Sequence, residues 1–159
     1  PWRFSMDVMV GTKMTEGRLG IRKARHDLDF LWEHAFEHAV YEFDIQWSRL
    51  IDFNSKTLAG VRSGNSPEQY DRFYLGYNQR LPFLSQGTAT MDHEAELRLG
   101  LSKELSLTNH ISWSNEIQYE SDGKWELKTG LDYRLTKEFA TVLRYHSDHQ
   151  LGFGLRIYF

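Results

Sequence analysis

The side chains best suited to bind a metal ion are histidines and a methionine, most of them near the ends of alternating apolar and polar segments. The candidate ligands are His34, His38, Met91, His93, His146, His149 and, further into a segment, His110. Imidazole and thioether groups suit copper, and the thioether favours Cu(I). Nearby acidic residues could act as harder ligands or orient the imidazoles: Glu33, Glu37, Asp92, Glu94 and Asp148. The alternative is that these histidines are ordinary polar residues of exposed loops.

The segments that must position these ligands alternate with a period of two. In the last nine residues, Leu151, Phe153, Leu155, Ile157 and Phe159 fall on one side of an extended strand, and glycines and an arginine fall on the other. Similar alternation recurs around residues 41–48, 94–101, 105–119, 125–134 and 139–146. We therefore predict an all-β fold, a transmembrane antiparallel β-barrel with an up-and-down meander of 10–12 strands. We expect one domain over residues 1–159, with the alternative that an N-terminal segment is missing from it.

The distribution of charge favours a membrane barrel over a soluble β-sandwich, which would also alternate. The apolar face almost never carries a charge, as a lipid-facing surface requires. The polar face carries both signs, and this predicts a network of ion pairs inside the lumen. Its expected members are Glu94, Glu96, Arg98, Glu116, Glu126, Lys128, Asp132, Arg134, Arg144 and Arg156.

Composition excludes several other classes of protein. The 159 residues contain no cysteine, which removes disulfides and thiol catalysis, and no apolar run approaches the roughly 20 residues of a membrane-spanning helix. The net charge of -3 and the absence of a basic tract make nucleic acid an improbable partner. A hydrolase site built on Ser147 and His146 is disfavoured, because adjacent strand residues point to opposite faces.

The alternation also predicts the direction of each strand. With the last strand ending in the periplasm, periplasmic turns fall near Thr136, Lys103, Pro82, Asp52 and Thr12, and outside loops near Asp148, Asp122, Asp92, Ser66 and Glu37. The tally is eleven strands, whereas single-chain bacterial barrels normally have an even number. Either one strand is miscounted, which would give twelve, or an N-terminal strand is missing. With these directions, one rim on the outside brings together His34, His38, Met91, His93, His146 and His149. We expect His110 inside the lumen below that rim, and a bulge or break near Lys23–Arg25.

The closing strand, which ends at Phe159, looks like the terminal strand of bacterial outer-membrane barrels, where this ending serves as the assembly signal. Several short motifs resemble the copper resistance protein B family of outer-membrane proteins. The motifs are Val10-Gly-Thr12 with Gly17–Lys23, Gln46–Arg49 with Leu58–Arg62, Ala95–Leu99 and Leu131–Phe139. The Met- and His-rich N-terminal stretch typical of that family is absent.

These resemblances imply a non-enzymatic barrel in the bacterial outer membrane that binds copper and takes part in copper tolerance or copper movement. They also imply outer-membrane lipid, lipopolysaccharide, the barrel assembly machinery and a periplasmic copper protein as partners. The alternative functions are a structural barrel or small passive pore and, with less support, a lipid-modifying hydrolase.

Overall fold

The computed structural model describes residues 2–36, 40–65, 71–83, 85–147 and 150–159. Its elements are twelve strands. They are β1 (Arg3–Gly11), β2 (Met14–Lys23), β3 (His26–Ala35), β4 (Val40–Leu50), β5 (Ser55–Gly64), β6 (Arg72–Leu81), β7 (Ser85–Asp92), β8 (Leu97–Ser106), β9 (Ile111–Glu120), β10 (Trp125–Arg134), β11 (Phe139–His146) and β12 (Gln150–Tyr158). No helix in the described ranges is long and apolar enough to cross a membrane.

The strands form one closed antiparallel barrel in meander order, and β1 pairs with β12 to complete it. This confirms the predicted fold class. Strand lengths of 8 to 11 residues are close to the number that a tilted strand needs to span the bilayer core. The period-two pattern explains the fold, because closure gives one set of side chains an outer face and the other an enclosed lumen.

The core of this barrel is polar. Among the described residues only five hydrophobic side chains are buried: Met14, Leu58, Tyr74, Ala140 and Val142. Large apolar side chains instead cover the outer face, as in the closing strand, where Leu151, Phe153 and Leu155 are about half exposed. This is the arrangement of a protein whose apolar face contacts lipid.

The barrel has two rims. The upper rim carries the connections 12–13, 36–39, 65–71, 93–96, 121–124 and 147–149. The lower rim carries the turns 24–25, 51–54, 82–84, 107–110 and 135–138, the start of β1 and the end of β12.

Two sequence-based expectations about the strands are wrong. The predicted bulge near Lys23–Arg25 is a complete reverse turn, since Lys23 pairs directly with His26. The segment 19–32 is therefore two strands, and this accounts for the odd tally without any missing strand. The extra turn also moves Thr12 from the predicted periplasmic end to the upper rim, beside the start of β12, where its N–H donates to Leu151 O.

The predicted turn near Lys103 is also misplaced. Strand β8 continues to Ser106, and the chain reverses over residues 107–110, where the Thr108 hydroxyl accepts hydrogen bonds from the His110 and Ile111 amides. His110 is consequently an exposed turn residue at the lower rim beside Tyr133, and its predicted position inside the lumen is wrong.

Candidate functional site: a charged lumen

The lumen contains a cavity of about 980 Å³ along one side of the barrel. Its lining residues come from β2 to β10 and from the 93–96 and 121–124 turns, and none of the described residues of β11, β12 or β1 contributes. The lining reaches from Asp122 and Lys124 at the upper rim to Arg22 and Asp27 near the lower rim. We call the inner face of β3–β9 the open side, and the inner face of β11, β12 and β1 the packed side.

At the top of the open side, Arg72 on β6 holds the 93–96 turn. Its guanidinium pairs with Glu96, lies 3.4 Å from Asp92 and reaches 4.0 Å from Glu94. Asp92 is buried, and its Oδ1 accepts hydrogen bonds from the Glu94 and Glu96 amides, both at 2.9 Å. One arginine and one aspartate therefore fix the turn at the mouth of the cavity.

Next to this turn, Arg98 on β8 donates to Glu120 on β9 at 2.5 Å. Carboxylate oxygens of Glu96, Glu120 and Asp122 lie within 4.8 Å of one another. Because Arg72 and Arg98 are bonded to two of these carboxylates, the group is a locally balanced charge network rather than a concentrated negative site.

In the middle of the open side, a tyrosine lies flat against the wall. The hydroxyl of Tyr74 on β6 passes over β5 and donates to Asp44 on β4 at 2.5 Å. Gly60 makes this path possible, because a Cβ there would lie 2.4 Å from the Tyr74 ring. Arg62 covers the ring at 4.1 Å and approaches Asp44 at 3.5 Å. The large side chain is thereby kept out of the centre of the lumen.

Near the lower rim, Asp27 on β3 accepts from Arg22 at 2.6 Å and from Lys56 at 3.4 Å. Asn78 donates to Thr88 across β6 and β7 at 2.7 Å. Polar side chains thus bond to neighbours along the wall at every level of the open side, and the space in front of them remains open.

The packed side has the opposite character. Arg156 on β12 donates to Asp7 on β1 at 3.0 Å and to Asp132 on β10 at 2.6 Å. Arg144 lies 3.7 Å from Glu16, and His146 lies 3.6 Å from Glu126.

Small residues bring these long side chains close to the packed wall: Ala140 and Val142 on β11, and Gly152 and Gly154 on β12. The remaining gap has a volume of only about 20 Å³.

The predicted metal ligands are not brought together in the described part of the chain. His34 stacks on Tyr41 with ring centroids 4.3 Å apart on the outer face. Met91 is half exposed between two outward-facing leucines, Leu75 and Leu97.

The imidazole of His93 packs edge-on against Phe73 and accepts a hydrogen bond from its amide. Only His146 among the described candidates faces the lumen, where it is 8% exposed. The predictions for His38 and His149 lie outside the described residues.

Most of the predicted lumen charge network is present. Glu96, Arg98, Glu126, Asp132, Arg144 and Arg156 all form the ion pairs given above. Glu116 and Lys128 are neighbours across β9 and β10 and both line the cavity. Glu94 belongs to the upper turn, and Arg134 is exposed at the lower rim without an ion pair among the described residues.

The wall built by Asp44, Arg62, Arg72 and Tyr74 is not among the residues predicted for the lumen. Alternation is weaker in residues 56–63 and 72–81 than in the segments that predict a charged inner face. Applying the same period of two to β5 and β6 places residues 58, 60 and 62, and 72, 74 and 76, on the inner face, which the register confirms. The signal was therefore available in the sequence.

The hydrolase alternative has no support in the geometry of its two residues. Ser147 follows β11 at the upper rim, and its hydroxyl accepts a hydrogen bond from the Leu127 amide. His146, in contrast, faces Glu126 on the inner side of the barrel.

No family model matches this sequence, and no curated protein matches it. Among solved structures, the barrel is similar to the KdgM porin, alone and in complex with disordered oligogalacturonate, with TM-scores of 0.64 and 0.65, 14% identity and 99% of both chains covered. It is also similar to the NanC porin, with a TM-score of 0.54, 10% identity and coverage of 99% of this chain and 98% of that one. At these identities the comparisons establish the fold alone: this chain is a closed barrel of the kind found in outer-membrane porins.

Proposed function

We propose that this chain forms a narrow passive pore in the bacterial outer membrane, through which small hydrophilic solutes diffuse. The observation that carries this proposal is the polar cavity on the open side, whose lining extends from the upper turns almost to the lower rim. A purely structural barrel would have no need to keep long side chains such as Tyr74 and Arg62 flat against the wall. The likeness in fold to the KdgM and NanC porins supports the same function.

The charge of the lining indicates weak ion selectivity. Ten carboxylates and eight basic side chains line the cavity, so neither sign dominates and we expect a slight preference for cations. The KdgM porin has been seen with oligogalacturonate, a chain of sugar acids. For this chain we propose mixed small solutes rather than a polyanion, because four of the five arginines that line the cavity are already paired with a carboxylate.

The orientation follows from the connections. Barrels of this class have short turns in the periplasm and longer loops outside. The longest stretch of sequence between two strands separates the end of β5 at Gly64 from the start of β6 at Arg72. Both of these strand ends are at the upper rim, so we place the upper rim outside and the lower rim in the periplasm.

Conductance across planar bilayers tests the pore directly. Purified, folded protein is expected to give discrete conductance steps without added metal, and Gly100→Phe, which inserts a ring into the cavity, should lower the conductance per step. The control is Ala89→Phe on the neighbouring strand, where the side chain faces lipid, because Ala89 pairs with outward Leu99 while Gly100 pairs with inward Thr88. A folded barrel that does not conduct, or equal conductance in both variants, would contradict the proposal.

Copper binding is a second candidate, and one specific observation favours it. The small gap on the packed side is lined by Met9, Met14 and His146, two thioethers and an imidazole, of which Met14 and His146 are buried. Such soft ligands suit Cu(I). The guanidinium of Arg144 also lines this gap, but it pairs with Glu16, which reduces its repulsion of a cation.

A competition titration of Cu(I) against a chromogenic chelator tests this candidate independently of conductance. The double variant Met9→Leu with Met14→Leu removes both sulfurs at nearly constant volume and should abolish binding. Met91→Leu, on the outer face, is the matched control and should bind as the parent does. Unchanged binding in the double variant would exclude this site.

A further inference from the structure

We propose that the outer face at the lower rim of β2–β4 binds the phosphate headgroup of an anionic phospholipid. Lys23, His26 and Arg49 lie side by side across three strands, because Lys23 pairs with His26 and His26 pairs with Arg49. Arg25 occupies the turn next to them. We call these four residues the basic row.

The basic row lacks acidic partners. All four side chains are exposed, and none takes part in an ion pair among the described residues. The adjacent Asp27 points to the lumen and is bonded to Arg22 and Lys56. Asp52, in the neighbouring turn, accepts hydrogen bonds from Asn54 and Ser55. The positive charge of the row therefore faces the membrane without a nearby protein carboxylate bonded to it.

Two indoles hold Lys23 and His26 in place. The Lys23 ammonium lies 4.6 Å from the ring centroid of Trp2. The Trp47 ring stacks on His26 at 5.6 Å, and its Nε1–H donates to His26 Nδ1 at 3.2 Å. Since Nδ1 accepts this hydrogen bond, the ring proton resides on Nε2, which is a donor for a phosphate oxygen.

The next row toward the middle of the barrel is apolar, as an acyl chain requires. Phe4, Ile21, Leu28 and Trp47 are consecutive cross-strand neighbours there. Phe4, Leu28 and Trp47 are each about 40% exposed on the outer face. A polar, cationic row at the rim, next to a continuous apolar row nearer the middle of the barrel, matches the headgroup and tail of a phospholipid, and Trp at this boundary is typical of membrane interfaces.

The lower rim does not have this composition everywhere. Lys103 on β8 also faces outward near the lower rim, but its cross-strand neighbours are Ser85 and Asn115, which are uncharged. It therefore lacks the adjacent cations that would define a site. The inference does not depend on conduction through the lumen, because the row lies on the opposite face of the wall.

Quenching of tryptophan fluorescence by brominated lipids tests the site, since Trp2 and Trp47 border it. The reporter protein carries Trp32→Phe, Trp113→Phe and Trp125→Phe, so that only these two indoles remain. It is reconstituted into phosphatidylcholine vesicles that contain a minor fraction of either brominated phosphatidylglycerol or brominated phosphatidylcholine. We expect stronger quenching by the brominated phosphatidylglycerol, and the difference should shrink with added salt.

Charge variants then assign the preference to the row. In Lys23→Gln with Arg49→Gln the preference for phosphatidylglycerol should fall about fivefold for each cation removed. It should persist in the charge-preserving variant Lys23→Arg with Arg49→Lys, and in Lys103→Gln. Comparing two lipids within one variant cancels changes in intrinsic Trp emission. Equal quenching by both lipids in the reporter protein, or an unchanged preference in the double Gln variant, would overturn the proposal.

Discussion

The open and packed sides of this barrel have the same alternating pattern, yet they differ in what their inner faces do. On the open side, Arg98 and Arg72 each bond to carboxylates along the wall, and a cavity of about 980 Å³ remains in front of them. On the packed side, Arg156 connects three strands, and only about 20 Å³ is left. On the packed side, the small residues of β11 and β12 let long side chains from neighbouring strands close over them. On the open side, Gly60 lets Tyr74 lie flat along the wall, and the space in front stays open.

The comparison predicts its largest effect at Arg156. Arg156→Ala leaves Asp7 and Asp132 as uncompensated, largely buried carboxylates, so we expect the free energy of unfolding to fall by about 3–5 kcal/mol. Arg98→Ala leaves one carboxylate instead of two. Glu120 is about as exposed as Asp7 and Asp132 but lines the open cavity, where water can solvate it, so the loss should be smaller, about 1 kcal/mol. Urea unfolding in detergent micelles measures both. Equal losses would mean that the two sides do not differ energetically.

Glycine substitutions sharpen the same contrast through sterics. A Cβ at Gly154 would lie 2.2 Å from Val8 O and 2.8 Å from Met9 Cα, where β12 meets β1. Gly154→Ala should therefore destabilise the barrel by roughly 1–3 kcal/mol. A Cβ at Gly100 on the open side meets only Thr88, at 3.7 Å, and Gly100→Ala should be close to neutral. Thermal unfolding of the pair tests this, and a neutral Gly154→Ala would contradict the tight packing of the seam.

A smaller effect is expected from the tyrosine that lies against the open wall. Tyr74→Phe leaves the half-buried Asp44 and Gln46 without this donor and should cost about 1–2 kcal/mol. Tyr77→Phe, on the same strand, removes a hydroxyl that donates to Gln79 on the exposed outer face, and should cost much less. The same unfolding assay compares them. If the two substitutions lower the free energy of unfolding equally, the hydrogen bond from Tyr74 to Asp44, which passes over Gly60, does not stabilise the wall.

The smallest effect should come from an exposed turn, which belongs to neither side. Hydrogen bonds from the Asn54 amide and then the Ser55 hydroxyl lower the pKa of Asp52 below its ordinary value. A lowered pKa in the folded state means that Asp52 stabilises the fold above the ordinary pKa of about 4, and that this contribution is lost as the pH falls through the folded value.

The unfolding free energies of the parent and Asp52→Asn should therefore converge as the pH drops below about 4. A difference that stays constant through this range would show that the Asp52 carboxylate does not contribute through its charge.

Two turns, at 24–25 and 107–110, are hard to locate from alternation alone. The length of a turn decides whether the outward residues keep odd numbers or change to even ones. The two-residue turn 24–25 makes Lys23 and His26 direct partners, so the outward residues change from odd to even numbers, and this change was interpreted as a bulge. The turn contains no Gly, Asn, Asp or Pro, and Ala24 itself adopts a positive φ of 53°. The four-residue turn 107–110 keeps the same parity on both sides, since Ser106 pairs with Ser112, and alternation therefore runs through it without a visible break.

The candidate site was predictable in part for the same reason. Parity along a strand identified Arg98, Glu126, Asp132, Arg144 and Arg156 as inward residues, and the register confirms it. Parity does not say which strands face each other across the lumen or which end of a strand a residue occupies once a turn is missed. To group the histidines on one rim, both the facing strands and the strand ends have to be known. The described histidines instead lie on the outer face at both rims, except for His146 on the inner wall.

Alternation along the chain is enough to predict an apolar face and a charged face on extended strands, because side chains of a strand alternate whatever the strand pairs with. That local rule predicts a lipid-facing barrel with ion pairs inside. It does not predict that twelve strands close through β1 and β12, that the cavity lies along β2–β10, or that Lys23, His26 and Arg49 form one row. Those features depend on the register between strands and on side-chain volumes from distant segments, which no local pattern encodes.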